Sequence, residues 1–435
     1  MEPLKNIDVL INGGMILSMN KDRQVIDKGA IAISGDSIVH IFSSDQLSKD
    51  QAAKKVINAE GMVVIPGLIN AHSHLAMTLF RGLLEDLELH RWLEKVWKYE
   101  LSSLNEENVC VGSKLALAEM IRGGVTCAHD MYWYYEAVMA LSEEIGFRLI
   151  SGPSITGIGG LDFDSMVAQA RNVLENAEKY HYVIPIIQAH STYTTTPRMM
   201  DTVLELKEEF GVAFTTHASE NKSEVEDVTE RFGLTPIELL QSYKLLDDKT
   251  ILAHCVQLND EEIEMLSESG THVAHCPESN LKLGAGIARI GEMLEAGINV
   301  CIGTDGPASN NDLDLLGEMR TAALAQKGLY NDPKVLKAIE VLEMATINGA
   351  KAYGIDHFTG SIEPGKKADI VLVDFRKTYL TPCNDVYANL VYSATKADVS
   401  TVLIDGRLQM EAGELVAFEE DALMADVRSI SDKFE

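Results

Sequence analysis

Short apolar and β-branched runs, separated by turns rich in glycine and polar residues, occupy both ends of the chain. The first run ends at the turn Asn12-Gly13-Gly14, and the second run ends at the turn Ser34-Gly35-Asp36. Such turns are typical of antiparallel hairpins. The runs lie at residues 7–11, 29–33, 37–41, 370–373 and 399–404. Because the pattern stops near residue 61 and returns near residue 359, we predict that the two ends complete one small β domain.

The middle of the chain has a different pattern, in which apolar strands alternate with amphipathic helices. The candidate strands lie at residues 62–72, 124–131, 147–155, 182–191, 211–218, 250–256, 271–277 and 298–305. Repeated strand–helix units imply parallel strands with right-handed crossovers, and eight units over roughly 250 residues match the size of a (β/α)8 barrel. A doubly wound open sheet is the alternative, although no Gly-x-Gly-x-x-Gly motif follows an early strand.

The predicted fold class is therefore α/β, a (β/α)8 TIM-like barrel with a small β-sandwich domain built from both chain ends. Residues 1–60 and 359–418 are assigned to the β-sandwich domain, and residues 61–358 to the barrel. Residues 419–435 are expected to form an acidic C-terminal tail with a solvated helix.

Composition narrows the range of partners. The 435 residues carry a net charge of −29, and a surface this acidic repels nucleic acid and anionic membranes. The six cysteines include no Cys-x-x-Cys pair, which is typical of a reducing compartment. Neither a signal-peptide pattern nor a bilayer-spanning apolar run is present. We expect a cytoplasmic protein with a small-molecule partner; the sequence leaves open whether it forms a homo-oligomer.

Histidines concentrate at the carboxyl ends of the predicted strands, which is where barrel enzymes gather their functional residues. Six of the 12 histidines lie there: His72, His74, His190, His217, His254 and His275. His72 and His74 alternate along one strand, so they project to the same side and form half of a metal site. An isolated His-x-His is more often a structural pair, but the concentration at strand ends favours a metal site.

The order of these residues resembles the amidohydrolase superfamily over nearly the whole chain. The resemblance implies that His72, His74, His217 and Asp305 bind a metal. Three imidazoles and a carboxylate suit Zn²⁺, and Fe²⁺ or Mn²⁺ also fit these ligand types. Members with two metals usually carry a carbamylated lysine on strand four, but residues 182–190 contain no lysine. One divalent metal is therefore expected.

Glu220 and His254 extend the resemblance to the deaminase branch of the superfamily. A glutamate three residues after the strand-five histidine marks that branch, and Glu220 holds this position. A bound metal lowers the pKa of water from 15.7 to about 7, and Asp305 is then expected to take the water proton. Glu220 would protonate a ring nitrogen of the substrate, and His254 would stabilise the tetrahedral intermediate. Simple amide hydrolysis does not need the ring-nitrogen acid, so Glu220 favours deamination.

Further motifs resemble the 5′-methylthioadenosine/S-adenosylhomocysteine deaminases. These motifs are Met77–Gly82, Trp92-Leu93, His190–Tyr193, Pro277–Leu283, Gly303–Gly306 and Ser309–Asp312. By this resemblance Glu100 accepts hydrogen bonds from both ribose hydroxyls, His190 contacts the ribose side and Trp92 lines the pocket. Glu220 and Asp305 complete the expected substrate contacts. A carboxylate suits a vicinal diol because each of its oxygens accepts a hydrogen bond.

One departure from that family concerns the substrate. Some members bind the amino-acid carboxylate of S-adenosylhomocysteine through arginines after strand three, whereas Ser151 stands where one arginine is expected. We therefore predict a preference for 5′-methylthioadenosine or adenosine. The alternatives are an amidohydrolase acting on another ring, such as an s-triazine chlorohydrolase or a guanine-type deaminase, and a non-catalytic scaffold that has kept the barrel.

Overall fold

Strands and helices follow the two predicted patterns along the chain. The computed structural model describes residues 4–48, 50–87, 89–160 and 162–434. Within these ranges the strands are β1 Val9–Leu17, β2 Val25–Ser34, β3 Ser37–Ser43, β4 Lys55–Asn58, β5 Met62–Pro66, β6 Leu68–Asn70, β7 Val125–His129, β8 Arg148–Ser151, β9 Ser154–Ile155, β10 Val183–Ser191, β11 Ala213–Ala218, β12 Thr250–His254, β13 His272–His275, β14 Val300–Ile302, β15 Ile370–Asp374, β16 Val399–Ile404, β17 Arg407–Glu411 and β18 Glu414–Leu415. The α-helices are α1 Leu89–Ser103, α2 Glu106–Arg122, α3 Tyr135–Ile145, α4 Phe163–Glu175, α5 Pro197–Phe210, α6 Lys222–Phe232, α7 Pro236–Ser242, α8 Asp260–Ser269, α9 Pro277–Lys282, α10 Ile290–Glu295, α11 Leu315–Tyr330, α12 Ala338–Met344, α13 Ile347–Ala352, α14 Val386–Tyr392 and α15 Glu420–Ser431.

Eight parallel strands form the barrel, in the order β6-β7-β8-β10-β11-β12-β13-β14. The barrel closes between its first and last strands, where the Ala71 amide donates to the Ile302 carbonyl at 2.9 Å and the Asp305 amide donates to the His72 carbonyl at 3.0 Å. The short strand β9 pairs with β10. The predicted (β/α)8 barrel is thus confirmed, and the open sheet is excluded.

The barrel interior is filled by side chains, so the functional cavity lies at one end of the barrel instead of running through it. Most strands contribute one apolar side chain to a buried cluster that includes Ile69, Cys127, Ile150, Ile186, Ile251, Ala274 and Cys301. Continuous apolar runs form these strands because strands in a closed parallel barrel are buried on both faces.

A second sheet takes strands from both chain ends, in the order β18-β17-β16-β15-β5-β1-β2-β3, with β4 paired to β1. The β-rich domain from the two ends is therefore present. Its strand β5 corrects the prediction of one barrel strand over residues 62–72, because Met62–Pro66 pairs with β1 and β15. The chain changes sheets at Gly67, where a Cβ atom would lie 1.9 Å from the Thr126 hydroxyl. Met62–Pro66 before this glycine and Leu68-Ile69 after it are all apolar, so the pattern alone could not separate the two strands.

The C-terminal helix α15 packs against the barrel, and the expectation of a solvated helix is wrong. Leu423, Val427 and Ile430 on one face are buried. Beyond the helix, the Phe434 ring lies 5.0 Å from the ring of Phe80. The charged residues on the other face of the helix produced the acidic sequence pattern on which the expectation of a solvated helix rested. The boundaries of the two domains stay predictions. No helix in the described ranges is long and apolar enough to cross a membrane.

Candidate active site

Four buried side chains meet at the carboxyl ends of the barrel strands. His72 and His74 follow β6, His217 belongs to β11 and Asp305 follows β14. His217 Nε2 lies 3.0 Å from His72 Nε2 and 3.3 Å from His74 Nε2. Asp305 Oδ1 lies 3.1 Å from His74 Nε2 and 3.7 Å from His72 Nε2. The four residues expected to bind a metal are therefore neighbours in space.

Two of these imidazoles are oriented by backbone carbonyl groups. His74 Nδ1 lies 2.6 Å from the Met131 carbonyl, and His217 Nδ1 lies 2.5 Å from the His190 carbonyl. Each Nδ1 therefore carries the proton, which leaves the Nε2 lone pairs of His74 and His217 facing each other. Such outer hydrogen bonds are typical of metal-binding histidines. A divalent cation fits this donor set because it would stabilise the opposed lone pairs.

Asp305 divides its two oxygens between the histidines and a pair of serines. While Oδ1 faces the imidazoles, Oδ2 accepts hydrogen bonds from the Ser279 hydroxyl at 2.6 Å and the Ser309 hydroxyl at 2.7 Å. Burial opposes ionisation, but the neighbouring His72 and His74 imidazoles hold the pKa of the Asp305 carboxyl well below its ordinary value. The carboxylate is thus ionised and fixed in orientation.

Glu220 enters the cavity from the loop between β11 and α6, and Glu224 fixes that loop. The Glu224 carboxylate accepts from the amides of Ser219 and Glu220, at 3.2 and 2.6 Å, and from the Thr192 hydroxyl at 3.1 Å. Burial raises the pKa of Glu224 to about 7. Ser219 has a left-handed backbone with φ 51°, a conformation found at functional turns.

His254 lies beside the cluster at the end of β12. One nitrogen from each of His72, His217 and His254, together with one Asp305 oxygen, lie within 4.8 Å of one another. His254 Nδ1 lies 2.8 Å from the Asn280 amide oxygen, so Nε2 is the nitrogen available to the cluster. Burial alone would lower the pKa of His254, but Glu220 and Asp305 raise it above its ordinary value. His254 and Asp305 also have left-handed backbones, with φ 73° and 61°.

Most of the predicted site residues line one cavity of about 380 Å³. This volume lies within the range of small-molecule sites. The predicted residues that line it are His74, Trp92, Glu100, His190, His217, Glu220, His254 and Asp305. His72 is fully buried and is not among the lining residues. The structure therefore brings all nine predicted site residues to one end of the barrel.

The predicted substrate contacts lie on the wall of this cavity. His190 Nδ1 lies 3.1 Å from the Thr194 hydroxyl, and burial lowers the pKa of His190 to about 3, so this imidazole is neutral. Trp92 is buried on helix α1. Ser151, the residue at the expected arginine position, is also buried, and its hydroxyl donates to the Asp130 carbonyl.

Sequence reasoning missed the aromatic residues that follow β7. Tyr132 and Trp133 line the cavity and donate hydrogen bonds to Glu100, and Trp97 from helix α1 packs edge-on against His190 at 5.7 Å between ring centroids. The signal was available, because the run Met131-Tyr132-Trp133-Tyr134-Tyr135 begins two residues after the second barrel strand. Examining the end of every predicted strand would have found this run.

A closed (β/α)8 barrel with a buried histidine–aspartate cluster at its carboxyl end defines a metal-dependent barrel enzyme. The model described as the amidohydrolase family matches residues 63–408. The chain belongs to the amidohydrolase family, as its motifs predicted.

Several enzymes are similar to the chain over almost its full length. A 5-methylthioadenosine/S-adenosylhomocysteine deaminase of Moorella thermoacetica is 44% identical over 93% of this chain and 94% of that protein. An adenosine deaminase structure from Xanthomonas campestris, with bound zinc, has a TM-score of 0.97 at 33% identity and covers 99% of both chains. A zinc complex of an atrazine chlorohydrolase from Arthrobacter aurescens has a TM-score of 0.90 at 25% identity, over 97% of this chain and 100% of that one.

Proposed function

We propose that this chain is a metal-dependent aminohydrolase that converts an adenine nucleoside and water into the hypoxanthine nucleoside and ammonia. The observation that carries the proposal is that one cavity is lined by Glu220, by residues of the histidine–aspartate cluster and by Glu100. An acid beside the cluster suits the ring nitrogen of a base, and a buried carboxylate suits a ribose diol. The names of the deaminase relatives support the same reaction.

We propose His72, His74, His217 and Asp305 as the ligands of one divalent metal, and zinc as that metal. Nitrogen and carboxylate donors of this kind suit zinc, and the zinc in the Xanthomonas campestris structure supports the choice. When bound there, the metal would lower the pKa of a water molecule from 15.7 to about 7.

The side chains of the chain then move the protons. Asp305, ionised and held by two serine hydroxyls, is oriented to accept a proton from the attacking water. Glu220 donates a proton to a ring nitrogen of the substrate, which makes the adjacent carbon electrophilic. His254, which is oriented by Asn280, stabilises the negative charge on the oxygen that the attacking water adds to the ring carbon. Return of a proton to the amino group releases ammonia.

The cavity wall supports a preference for a nucleoside without a carboxylate. Among the described residues that line the cavity there is no lysine or arginine, so an amino-acid carboxylate would lack a cationic partner. We expect a higher kcat/KM for 5′-methylthioadenosine or adenosine than for S-adenosylhomocysteine. Steady-state kinetics on the three nucleosides test this, and a higher kcat/KM for S-adenosylhomocysteine would refute it.

The reaction itself is tested by ammonia release from a panel of adenine nucleosides with zinc-loaded protein. Removing the metal with a chelator should abolish the activity, and added Zn²⁺ should restore it, while metal analysis should find about one ion per chain. A purified chain that binds no transition metal and releases no ammonia would point instead to a non-catalytic scaffold.

The second candidate is an amidohydrolase acting on another ring, which the similarity to the atrazine chlorohydrolase favours. Glu100 distinguishes the two because only a nucleoside offers it a ribose diol. The variant Glu100→Ala should lose most nucleoside activity. Unchanged nucleoside activity in this variant would favour an s-triazine or guanine-type substrate.

A further inference from the structure

The Glu100 carboxylate is held at both oxygens by two aromatic residues of one loop. The Tyr132 hydroxyl donates to Oε1 at 2.6 Å, and the Trp133 indole N–H donates to Oε2 at 3.1 Å. Glu100 lies on helix α1, whereas Tyr132 and Trp133 follow strand β7. Glu100 and Tyr132 are both buried. A carboxylate that accepts two such bonds is fixed in both position and rotation.

The loop that supplies these donors is itself tied to the histidine pair. The Met131 carbonyl orients His74, and the Met131 amide donates to the Ser73 carbonyl at 3.0 Å. One carboxylate oxygen of Asp130 accepts from the Leu75 amide at 2.8 Å. The same short segment therefore sets the distance between Glu100 and the proposed metal ligands. Neither Tyr132 nor Trp133 has a role in the proposed proton transfers.

We propose that Tyr132 and Trp133 are positioning residues that orient Glu100 toward the ribose diol, and that they set the selectivity of the enzyme for ribonucleosides over 2′- and 3′-deoxyribonucleosides. This inference rests on the proposed function. It assigns to two residues outside the family motifs the geometry on which recognition of the sugar depends.

The number of lone pairs on the Glu100 carboxylate explains why its orientation would favour ribonucleosides. A carboxylate has about four acceptor positions, two on each oxygen. Tyr132 and Trp133 occupy one position on each oxygen, which leaves one on each for a diol hydroxyl. Both contacts with the diol then form without a search over rotamers, which lowers the entropy cost of binding. A nucleoside lacking one hydroxyl leaves a buried acceptor unpaired and is rejected.

The variants Tyr132→Phe and Trp133→Phe test the inference, with kcat/KM measured for adenosine, 2′-deoxyadenosine and 3′-deoxyadenosine. The wild-type protein should prefer adenosine. Each variant should lower kcat/KM for adenosine by about tenfold, the size expected for a hydrogen bond to a charged group. The deoxynucleosides should lose less, so the ratio of adenosine to deoxyadenosine activity should fall several-fold.

Tyr330→Phe is the matched control. The Tyr330 hydroxyl also donates to a glutamate, Glu292, at 3.0 Å, but neither residue lines the cavity. This variant loses a bond of the same kind and should keep both kcat/KM and the selectivity ratio. Metal content, measured for every variant, should stay at the wild-type value because Tyr132 and Trp133 are not ligands.

Each outcome decides the inference. A lower ratio of adenosine to deoxyadenosine kcat/KM in the variants, with unchanged metal content, supports the positioning role of Tyr132 and Trp133. Equal losses on all three nucleosides, an unchanged ratio, or a wild-type protein that does not discriminate between the sugars would overturn it while leaving the deaminase proposal intact. If Tyr132→Phe is insoluble, Trp133→Phe decides by the same ratio. A wild-type protein that deaminates no adenine nucleoside would instead refute the proposed function.

Discussion

Glu220 illustrates how single residues at this site depend on their neighbours. Its backbone amide donates to Glu224, and the left-handed turn at Ser219 directs the loop over the cavity. His74 and His217 are oriented in the same way, by carbonyl groups of residues far from them in the chain. At this scale the residue types were visible in the sequence, but the hydrogen bonds that give each one its orientation were not.

The substitution Glu220→Gln tests the proposed acid. An amide of nearly the same shape cannot give up a proton, and general acid–base groups contribute about 10²–10⁴-fold to rate. We expect kcat to fall by about this factor while metal content stays constant. The exposed Glu226, on helix α6, provides the control, and Glu226→Gln should keep full activity. Substantial deamination by Glu220→Gln would assign the proton transfer to another group.

At the scale of elements, the contact between β6 and β14 decides whether the proposed ligands meet. Strand β14 approaches β6 so closely that a Cβ on Gly303 would lie 2.7 Å from the His72 nitrogen and 2.8 Å from its carbonyl oxygen. These are backbone atoms, which cannot rotate away. The short distance between Asp305 and His74 therefore depends on a glycine two residues earlier.

Gly303→Ala should separate the two strands and disturb the cluster. Overpacking of this kind costs about 1–3 kcal/mol of stability, and we expect less bound metal at a fixed zinc concentration. Gly328→Ala is the control because Gly328 is exposed on helix α11 with nothing within 4 Å of a new Cβ. That change should be neutral or slightly stabilising. Wild-type zinc content in Gly303→Ala would show that the strands tolerate the added methyl group.

For the whole molecule, Arg148 joins the barrel to the sheet formed by the chain ends. From the first residue of β8, its buried guanidinium contacts Asp369 at 3.1 Å and Asp405 at 2.5 Å. Asp369 precedes β15 and Asp405 follows β16, so the contact crosses between the two sheets. It lies at the amino end of the barrel strands, opposite the cavity. This ion-pair cluster is therefore separated from the proposed active site by the length of the barrel strands.

Arg148→Met should destabilise the protein without altering its chemistry. Removing one partner of a buried ion pair costs about 3–5 kcal/mol because the remaining charges lose their compensation. The midpoint of urea unfolding should fall, while kcat/KM of the folded protein should stay near wild type. His181→Ala removes an exposed partner of the same Asp405 and should cost no more than about 1 kcal/mol. Equal losses in the two variants would show that the buried contact contributes little.

Local patterns in the sequence determined a large part of this protein. Alternation of apolar strands with amphipathic helices predicted parallel strands, and the count of eight units favoured a barrel over a doubly wound open sheet. The placement of histidines and Asp305 at strand ends was enough to predict one site, because parallel strands bring their carboxyl ends to the same edge. The metal and substrate roles of those residues stay predictions.

Only the tertiary structure decided the contacts between segments that are distant in the chain. It assigned Met62–Pro66 to the second sheet, packed α15 on the barrel, and placed Tyr132 and Trp133 on Glu100. Each of these depends on strand register and on the shape of a neighbouring surface. A hydrophobic pattern records that a residue is buried, but it does not record which partner buries it.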